Sequence, residues 1–72
     1  MLNHTHAGVR CYTRHFLRTV KGNLSRGSYG TVVHETENLG RQLVLINWDC
    51  GIAVPAFPHE IEFDDDLVTL AH

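Results

Sequence analysis

The chain has 72 residues and a formal net charge of −2. This length has room for one domain, and a chain so short buries only roughly 60% of the surface that its unfolded form exposes. Its core is therefore thin. Two cysteines allow at most one disulfide, which excludes a disulfide-stapled scaffold.

The sequence carries no membrane or export signal that we recognise. The longest apolar stretch, residues 43–46, is far shorter than the ~20 residues that a membrane-spanning helix needs. Residues 1–6 lack the charged start and apolar run of a secretory signal peptide. We therefore expect a cytoplasmic protein with reduced cysteines and no membrane association.

Positive charge is concentrated near the N-terminus. Residues 1–26 carry five cations and no acid, whereas residues 27–72 carry one cation and eight acids. Such a split can give a basic patch suited to an acidic or phosphate-bearing partner. Alternatively, the two halves neutralise each other when barrel closure brings distant strands together. The five cations are Arg10, Arg14, Arg18, Lys21 and Arg26.

The first third of the chain leaves its secondary structure open. Residues 1–8 predict a disordered polar lead-in to a single domain spanning 9–72. As a helix, residues 9–20 align Tyr12, Phe16 and Val20 at four-residue spacing; as a strand, they alternate between two faces. The β-branched and aromatic residues and the absence of an N-cap favour the strand.

The middle of the chain predicts loops alternating with strands. Residues 22–30 are rich in Gly, Asn and Ser and predict a turn-rich loop before a strand at 31–36. Residues 37–40 predict a hairpin loop with Gly40 in a left-handed conformation. The strongest strand follows at 42–48.

That strongest strand is apolar on both faces. Val44, Ile46 and Trp48 alternate on one face, which we expect to enter the core. Leu43 and Leu45 occupy the opposite face. They can form an apolar patch for a partner or for homo-oligomerisation, unless other side chains of the protein cover it.

The C-terminal part predicts short elements. Residues 49–51 form a hairpin loop before a strand at 52–57, which Pro55 restricts to a sheet edge. Residues 57–60 predict a 3₁₀ turn before a strand at 61–63. The acidic run 64–66 and a last short strand or frayed end at 67–72 complete the chain. The predicted core comprises Val9, Cys11, Leu17, Val33, Val44, Ile46, Trp48, Phe57, Ile61 and Phe63.

Short strands separated by turns at this spacing are typical of a small barrel or sandwich, and so predict a mainly β fold. Residues 27–33, 43–51 and 57–62 resemble SH3-like barrels of small bacterial and plastid proteins. The pattern is similar to a small accessory protein of photosystem I, the ferredoxin–thioredoxin reductase variable chain and KOW-type ribosomal barrels. The resemblance implies a five-stranded SH3-like barrel. These families use it for ferredoxin docking, for stabilising a redox complex or for RNA binding, so it selects no single function.

The histidines and cysteines give weak chemical signals. A zinc site needs three or four closely spaced ligands, and His4 and His6 are the only close pair among six histidines. Clustering of His15, His34 and His59 in space stays open. We expect no metal or cofactor, and keep a metal-handling role through His4 and His6 as a third hypothesis.

We expect no catalytic activity. Cys50 can be combined with His59 and Asp64 into a nucleophile–base arrangement, but a thin barrel lacks room for a pocket that excludes water. We predict that Cys50 is an exposed loop thiol and that Cys11 packs as a small hydrophobe.

The leading hypothesis is a non-catalytic protein-interaction module, an accessory subunit of a larger complex. Electrostatics would supply orientation and on-rate. The second hypothesis is binding of single-stranded RNA or DNA through the same basic and aromatic residues. The predicted partner-binding residues are Arg10, Arg14, Arg18, Lys21, Arg26, Tyr29, Leu43 and Leu45.

Overall fold

In the computed structural model the chain is mainly β, with one 3₁₀ turn among the described residues. The structure describes residues 2–3 and 6–64, with side chains for 6–64. The strands are β1 (Leu2–Asn3), β2 (Arg10–Thr13), β3 (Leu17–Thr19), β4 (Gly22–Leu24), β5 (Tyr29–Asn38), β6 (Arg41–Trp48), β7 (Ala53–Ala56) and β8 (Ile61–Phe63), and the 3₁₀ turn is Pro58–Glu60.

Five strands form one continuous antiparallel path, in the order β7–β6–β5–β2–β8. β1 pairs with the second half of β5, and β3 pairs with β4 as a separate two-stranded hairpin. Among the described strands, β7 and β8 end the path and do not pair with each other. The mainly β prediction is thus confirmed, whereas strand pairing does not close the sheet into a barrel.

The hairpin of β5 and β6 is fixed by its turn. Leu39 and Gly40 both have positive φ, 54° and 78°. Positive φ at both central residues is the requirement of the tight type I′ turn, whose twist matches that of the flanking strands. The left-handed Gly40 is confirmed, and the strands predicted at 31–36 and 42–48 are confirmed and longer than expected.

The ambiguous segment 9–20 is extended, as the strand prediction has it. It forms β2 and β3, separated by a bend that begins at Arg14. The predicted loop at 22–30 is wrong in part, because residues 22–24 pair with β3 as β4 and bury Leu24. Burial of this one leucine outweighs the loop preference of its Gly and Asn neighbours.

Parts of the expected lead-in contact the sheet. β1 pairs with β5, and the Gly8 N–H donates to the Val32 carbonyl at 2.8 Å. The His6 ring stacks on Phe63 with centroids 4.1 Å apart. The described residues of this segment thus contact the sheet, although we predicted a disordered lead-in. Strand β5 extends past β2, so its second half offers backbone partners to the residues that precede β2 in sequence.

A bulge in β5 changes the predicted core. The pairing of β5 with β6 shifts register between Val32 and His34. Val32 pairs with Ile46 before the shift and is 2% exposed, whereas the predicted Val33 falls at the shift itself and is only half-buried. The prediction of Val33 is therefore wrong.

Most of the remaining core follows the prediction. Phe63 packs against the core while partly exposed, and the predicted Val9 and Phe57 are also half-buried. The buried apolar residues are Cys11, Leu17, Leu24, Val32, Val44, Ile46, Trp48, Val54, Ala56 and Ile61. Leu24, Val32, Val54 and Ala56 were not predicted.

The C-terminal elements agree with the sequence. The loop at 49–51 separates β6 from β7, and Pro55 lies in β7 at the edge of the sheet. The 3₁₀ turn within 57–60 and the strand at 61–63 are confirmed. The strand suggested at 67–72 lies outside the described residues.

Candidate interaction site

The eight predicted partner-binding residues do not all line one hollow. Arg14 and Arg26 line one hollow, and Arg18 and Leu43 line another. Each hollow combines residues from different strands, so folding divides the predicted basic patch. The other four lie outside the two linings: Arg10, Lys21, Tyr29 and Leu45.

Arg10 is engaged within the protein. Its guanidinium donates to both carboxylate oxygens of Asp49, at 2.8 and 2.6 Å, and to the Thr31 hydroxyl at 2.9 Å. The hydrogen bond from Arg10 holds the pKa of Asp49 below its usual range, and the same bond raises the pKa of Arg10. This bidentate pair ties β2 to the loop after β6, so Arg10 is not free for a partner.

Three residues that line the first hollow, together with Tyr29 beside them, form a surface that we call the basic–tyrosine face. Its members are Tyr12, Arg14, Arg26 and Tyr29. The two tyrosine rings lie with centroids 5.3 Å apart. Tyr12 and both arginines line a hollow of about 380 Å³. Arg14 approaches Glu62 to 3.7 Å, with both side chains about half exposed, which makes a weak ion pair.

The second hollow is an apolar groove of about 290 Å³, which we call the hairpin groove. Residues 17–20 of the β3–β4 hairpin line one part and residues 54–57 another, and Leu43 and Glu60 complete the lining. Strand β6 places Leu43 on the face opposite its buried residues, because side chains alternate along a strand.

Val20 is the most exposed apolar side chain of this groove. It is 99% exposed at the turn between β3 and β4. Phe16, just before β3, is 53% exposed. Singly exposed apolar residues are common, but Val20 lines an apolar groove and so extends its apolar surface, whereas Phe16 is not part of the lining.

A hollow of about 520 Å³ adjoins the hairpin groove and shares Phe57 with it. We call it the adjoining hollow; Arg41, Gln42 and residues 57–59 line it. The His59 ring stacks on Phe57 with centroids 5.7 Å apart. The Phe57 N–H donates to the Glu60 carboxylate at 2.8 Å, which fixes the 3₁₀ turn that carries the two rings.

The cations and acids of the described residues are unevenly paired. Each carboxylate within 6–64 has a partner; for Asp64 it is Tyr29, whose pKa is raised by burial and then by this carboxylate. Four cations have no acidic partner within the same residues: Arg18, Lys21, Arg26 and Arg41. Of the two predicted alternatives, mutual neutralisation thus accounts for Arg10 and Arg14 only.

A buried carboxylate escaped the sequence analysis. Glu35 is 3% exposed; one of its oxygens lies 2.7 Å from His6 Nδ1, and the other accepts a hydrogen bond from Gln42 at 2.7 Å. Burying a carboxylate is costly unless it is paired and hydrogen-bonded. The bulge after Val32 turns Glu35 inwards, and no sequence pattern signalled that bulge.

Within 6–64, no group of three or more His, Cys, Asp or Glu residues is placed to hold a metal ion. The histidines at 15, 34 and 59 are thus not gathered into such a group. His6 contacts Glu35 and Phe63 instead. His4, its partner in the predicted pair, lies outside the described residues.

The two cysteines lie in contrasting environments. Cys11 is fully buried, as predicted, and burial raises the pKa of its thiol to about 11. Cys50 is exposed in the loop after β6, also as predicted. Only Cys50 is therefore accessible to reagents in solution.

Three residues of the candidate surfaces were missed by the sequence analysis as binding residues: Val20, Arg41 and Phe57. The Phe57–Pro58 pair signalled a turn but not a groove, and nothing near Val20 or Arg41 signalled either hollow.

No helix among the described residues is long and apolar enough to cross a membrane. Neither a protein-family model nor a curated protein nor a solved structure matches the chain.

Proposed function

We propose that this chain is a non-catalytic protein-interaction module that docks a partner in the hairpin groove. One observation carries the proposal: folding brings Arg18 and Leu43, from the predicted binding set, into one apolar groove beside the almost fully exposed Val20. Apolar surface left open next to a charged rim is characteristic of binding sites. A role as an accessory subunit in the cytoplasm belongs to this proposal.

The lining of the hairpin groove favours binding over catalysis. Its polar side chains are Arg18, Thr19 and Glu60, and the Glu60 carboxylate already accepts the Phe57 N–H. A catalytic site needs a nucleophile and a base within hydrogen-bond reach. The described lining offers no histidine or cysteine for either role.

We also propose that the fold is an SH3-like barrel, as the sequence resemblance implies. Three features support it: the five-strand antiparallel path, the 3₁₀ turn after Phe57, and the return of β8 beside β2. In such a barrel the β3–β4 hairpin would cover the opening between β7 and β8. Residues from that hairpin and from β7 line the same groove.

A matched pair of exposed apolar residues tests the docking site. Val20 lines the groove, whereas Leu39 is 95% exposed in the β5–β6 turn and does not line it. Peptides would be selected from a random displayed library on the intact protein and then measured against Val20→Ser and Leu39→Ser. We expect Val20→Ser to weaken binding by about tenfold, or ~1.4 kcal/mol, and Leu39→Ser to leave it unchanged.

Two results would remove the proposed function. One is failure of the library to yield any binding peptide. The other is equal binding by the two serine variants, because the peptides would then contact a different surface. A ¹⁵N–¹H spectrum of each variant checks that the fold is intact, which the exposure of both side chains leads us to expect.

A second candidate function is nucleic-acid binding on the basic–tyrosine face. It is favoured by the convergence of Tyr12, Arg14 and Arg26 on one hollow, since a ring beside cations can stack a base and hold its phosphate. Retention on a single-stranded oligonucleotide should then fall steeply with salt. Absence of retention at ~50 mM salt, where such proteins bind, would exclude this candidate.

A further inference from the structure

The charges beside the hairpin groove and the adjoining hollow are mainly positive. Arg18 lines the groove, and Arg41 lines the hollow that shares Phe57 with it. Neither arginine has an acidic partner within residues 6–64. Lys21 follows Val20 in the hairpin turn and also lacks one. The apolar surface centred on Phe57 is therefore flanked by cations that form no ion pair with the described acids.

The acidic side chains offset only part of this positive charge. Glu60 is the only acid that lines either hollow among the described residues, and it is engaged with the Phe57 N–H. Glu35 is buried and paired with His6 and Gln42. An incoming carboxylate would thus meet free guanidinium groups.

Building on the proposed function, we infer that the partner is an acidic peptide segment with apolar side chains. The apolar side chains enter the hairpin groove around Leu43 and Phe57, and the carboxylates pair with Arg18 and Arg41. A guanidinium matches a carboxylate with two parallel hydrogen bonds, which gives such a pair geometric specificity. The complementarity also predicts association that is faster at low salt.

The edge of the sheet argues against recognition through backbone pairing. β7 is the edge strand beside the groove, and Pro55 in its middle lacks an N–H. Pro55 stands opposite Leu45 in the register, so the edge cannot offer a continuous row of donors. Side-chain contacts must therefore supply the specificity, and a second copy of this chain cannot easily extend the sheet here.

The lining of the hairpin groove also favours a peptide over a nucleic acid as the ligand. The two tyrosines lie on the basic–tyrosine face and do not line the groove, and the Phe57 and His59 rings beside the groove stack on each other. The groove itself buries apolar side chains such as Leu17 and Val54. Apolar side chains of a peptide gain from this surface, whereas a phosphate backbone gains nothing from it.

The test uses three fluorescent peptides with identical apolar positions, flanked by Asp and Glu, by Asn and Gln, or by Lys. Binding to the intact protein is measured by fluorescence anisotropy at several salt concentrations. We expect the acidic peptide to bind roughly tenfold more tightly than the amide peptide, which is ~1.4 kcal/mol and within reach of two exposed ion pairs. The advantage should shrink as salt is added.

Arginine variants locate the effect. Arg18→Gln with Arg41→Gln should remove the preference for the acidic peptide, whereas Arg26→Gln should keep it. Arg26 is a matched control, because it is exposed and lacks an acidic partner within the described residues but lines a different hollow. A preference that survives the double variant, or disappears with Arg26→Gln, would overturn the assignment.

The remaining outcomes separate this inference from the proposed function. Equal binding of the acidic and amide peptides at the groove would overturn the charge inference and leave the docking function standing. If no peptide of any charge binds and the library also yields none, the docking function itself fails. Sedimentation that shows dimers dispersed by the double arginine variant would identify a second copy as the occupant and refute the peptide.

Discussion

Replacing Gly30 with alanine tests how tightly the sheet packs over its core. Gly30 lies in β5, paired with Cys11 on one side and Trp48 on the other. A Cβ added there would lie 2.6 Å from Ile46 Cγ2 and 2.9 Å from both the Asn47 carbonyl oxygen and Trp48 Cε3. All three distances are shorter than carbon contacts allow, and one partner is backbone, which cannot turn away.

The expected change in the free energy of unfolding of Gly30→Ala is the balance of two effects. Overpacking a core typically costs about 1–3 kcal/mol, whereas Gly→Ala in an accessible conformation gains about 0.4–1 kcal/mol by restricting the unfolded chain. Gly30 does not have the positive φ that disfavours alanine, so strain of that kind is not involved. We expect a net loss of ~1–2 kcal/mol, which lowers Tm by several degrees at ~4–8 °C per kcal/mol for a domain of this size.

Urea unfolding followed by the fluorescence of Trp48 measures this loss, because the single tryptophan is 3% exposed. Gly40 provides the control: a Cβ there meets no atom within 4 Å, but φ is 78°. Asparagine, which tolerates a left-handed conformation, should be accepted at Gly40 and not at Gly30. Wild-type or higher stability of Gly30→Ala would refute the packing argument.

Three further predictions concern the polar contacts and the thiols. His6→Ala removes one partner of the buried Glu35 and should lower the free energy of unfolding by ~1–3 kcal/mol, as measured by urea titration. Unchanged stability would show that water replaces the imidazole. Asp49 has a lowered pKa, so its pair with Arg10 should stabilise the fold above the usual Asp value of 3.8, with that contribution lost as pH falls below it. Asp49→Asn should remove this component of the acid dependence, and identical acid-unfolding curves would contradict it. Iodoacetamide should label Cys50 alone in the native protein and Cys11 only after unfolding, as measured by mass spectrometry. Labelling of Cys11 in the native protein would show that β2 opens.

The elements that the sequence predicted are those whose signals are local. Strand β6 combines β-branched residues with an alternating buried face at Val44, Ile46 and Trp48. Gly40 and the Phe57–Pro58 pair mark turns through their own backbone preferences. Each of these signals lies within a few residues and survives without tertiary information.

The errors arose where distant partners decide the outcome. Val32 replaces Val33 in the core because Val32 is the residue that pairs with Ile46, and Glu35 turns inwards after a bulge that leaves no periodic trace in β5. Leu24 is buried because β4 pairs with β3, although its neighbours favour a loop. In both cases packing across strands overrides the local pattern.

The candidate site was predictable in its residue types but not in its geometry. Five cations near the N-terminus predicted one basic patch, yet Arg10 pairs with Asp49, which lies far along the chain. Arg18 instead lies beside Leu43 in the hairpin groove. Charge counting cannot distinguish a cation that stabilises the fold from one left for a partner, because the difference is set by strand pairing.

The cations of residues 10–26 therefore fall into two groups, those paired within the protein and those without an ion pair among the described residues. A bidentate pair such as Arg10–Asp49 fixes the relative position of β2 and the loop after β6, and a partner could compete for Arg10 only by breaking the pair. Arg18 stabilises nothing through an ion pair within the described residues, and its long side chain stays exposed beside apolar surface. An unpaired surface cation contributes little to folding. Under the proposed function Arg18 and Arg41 pair with carboxylates of the partner, so the Arg18 and Arg41 variants should affect peptide binding far more than stability.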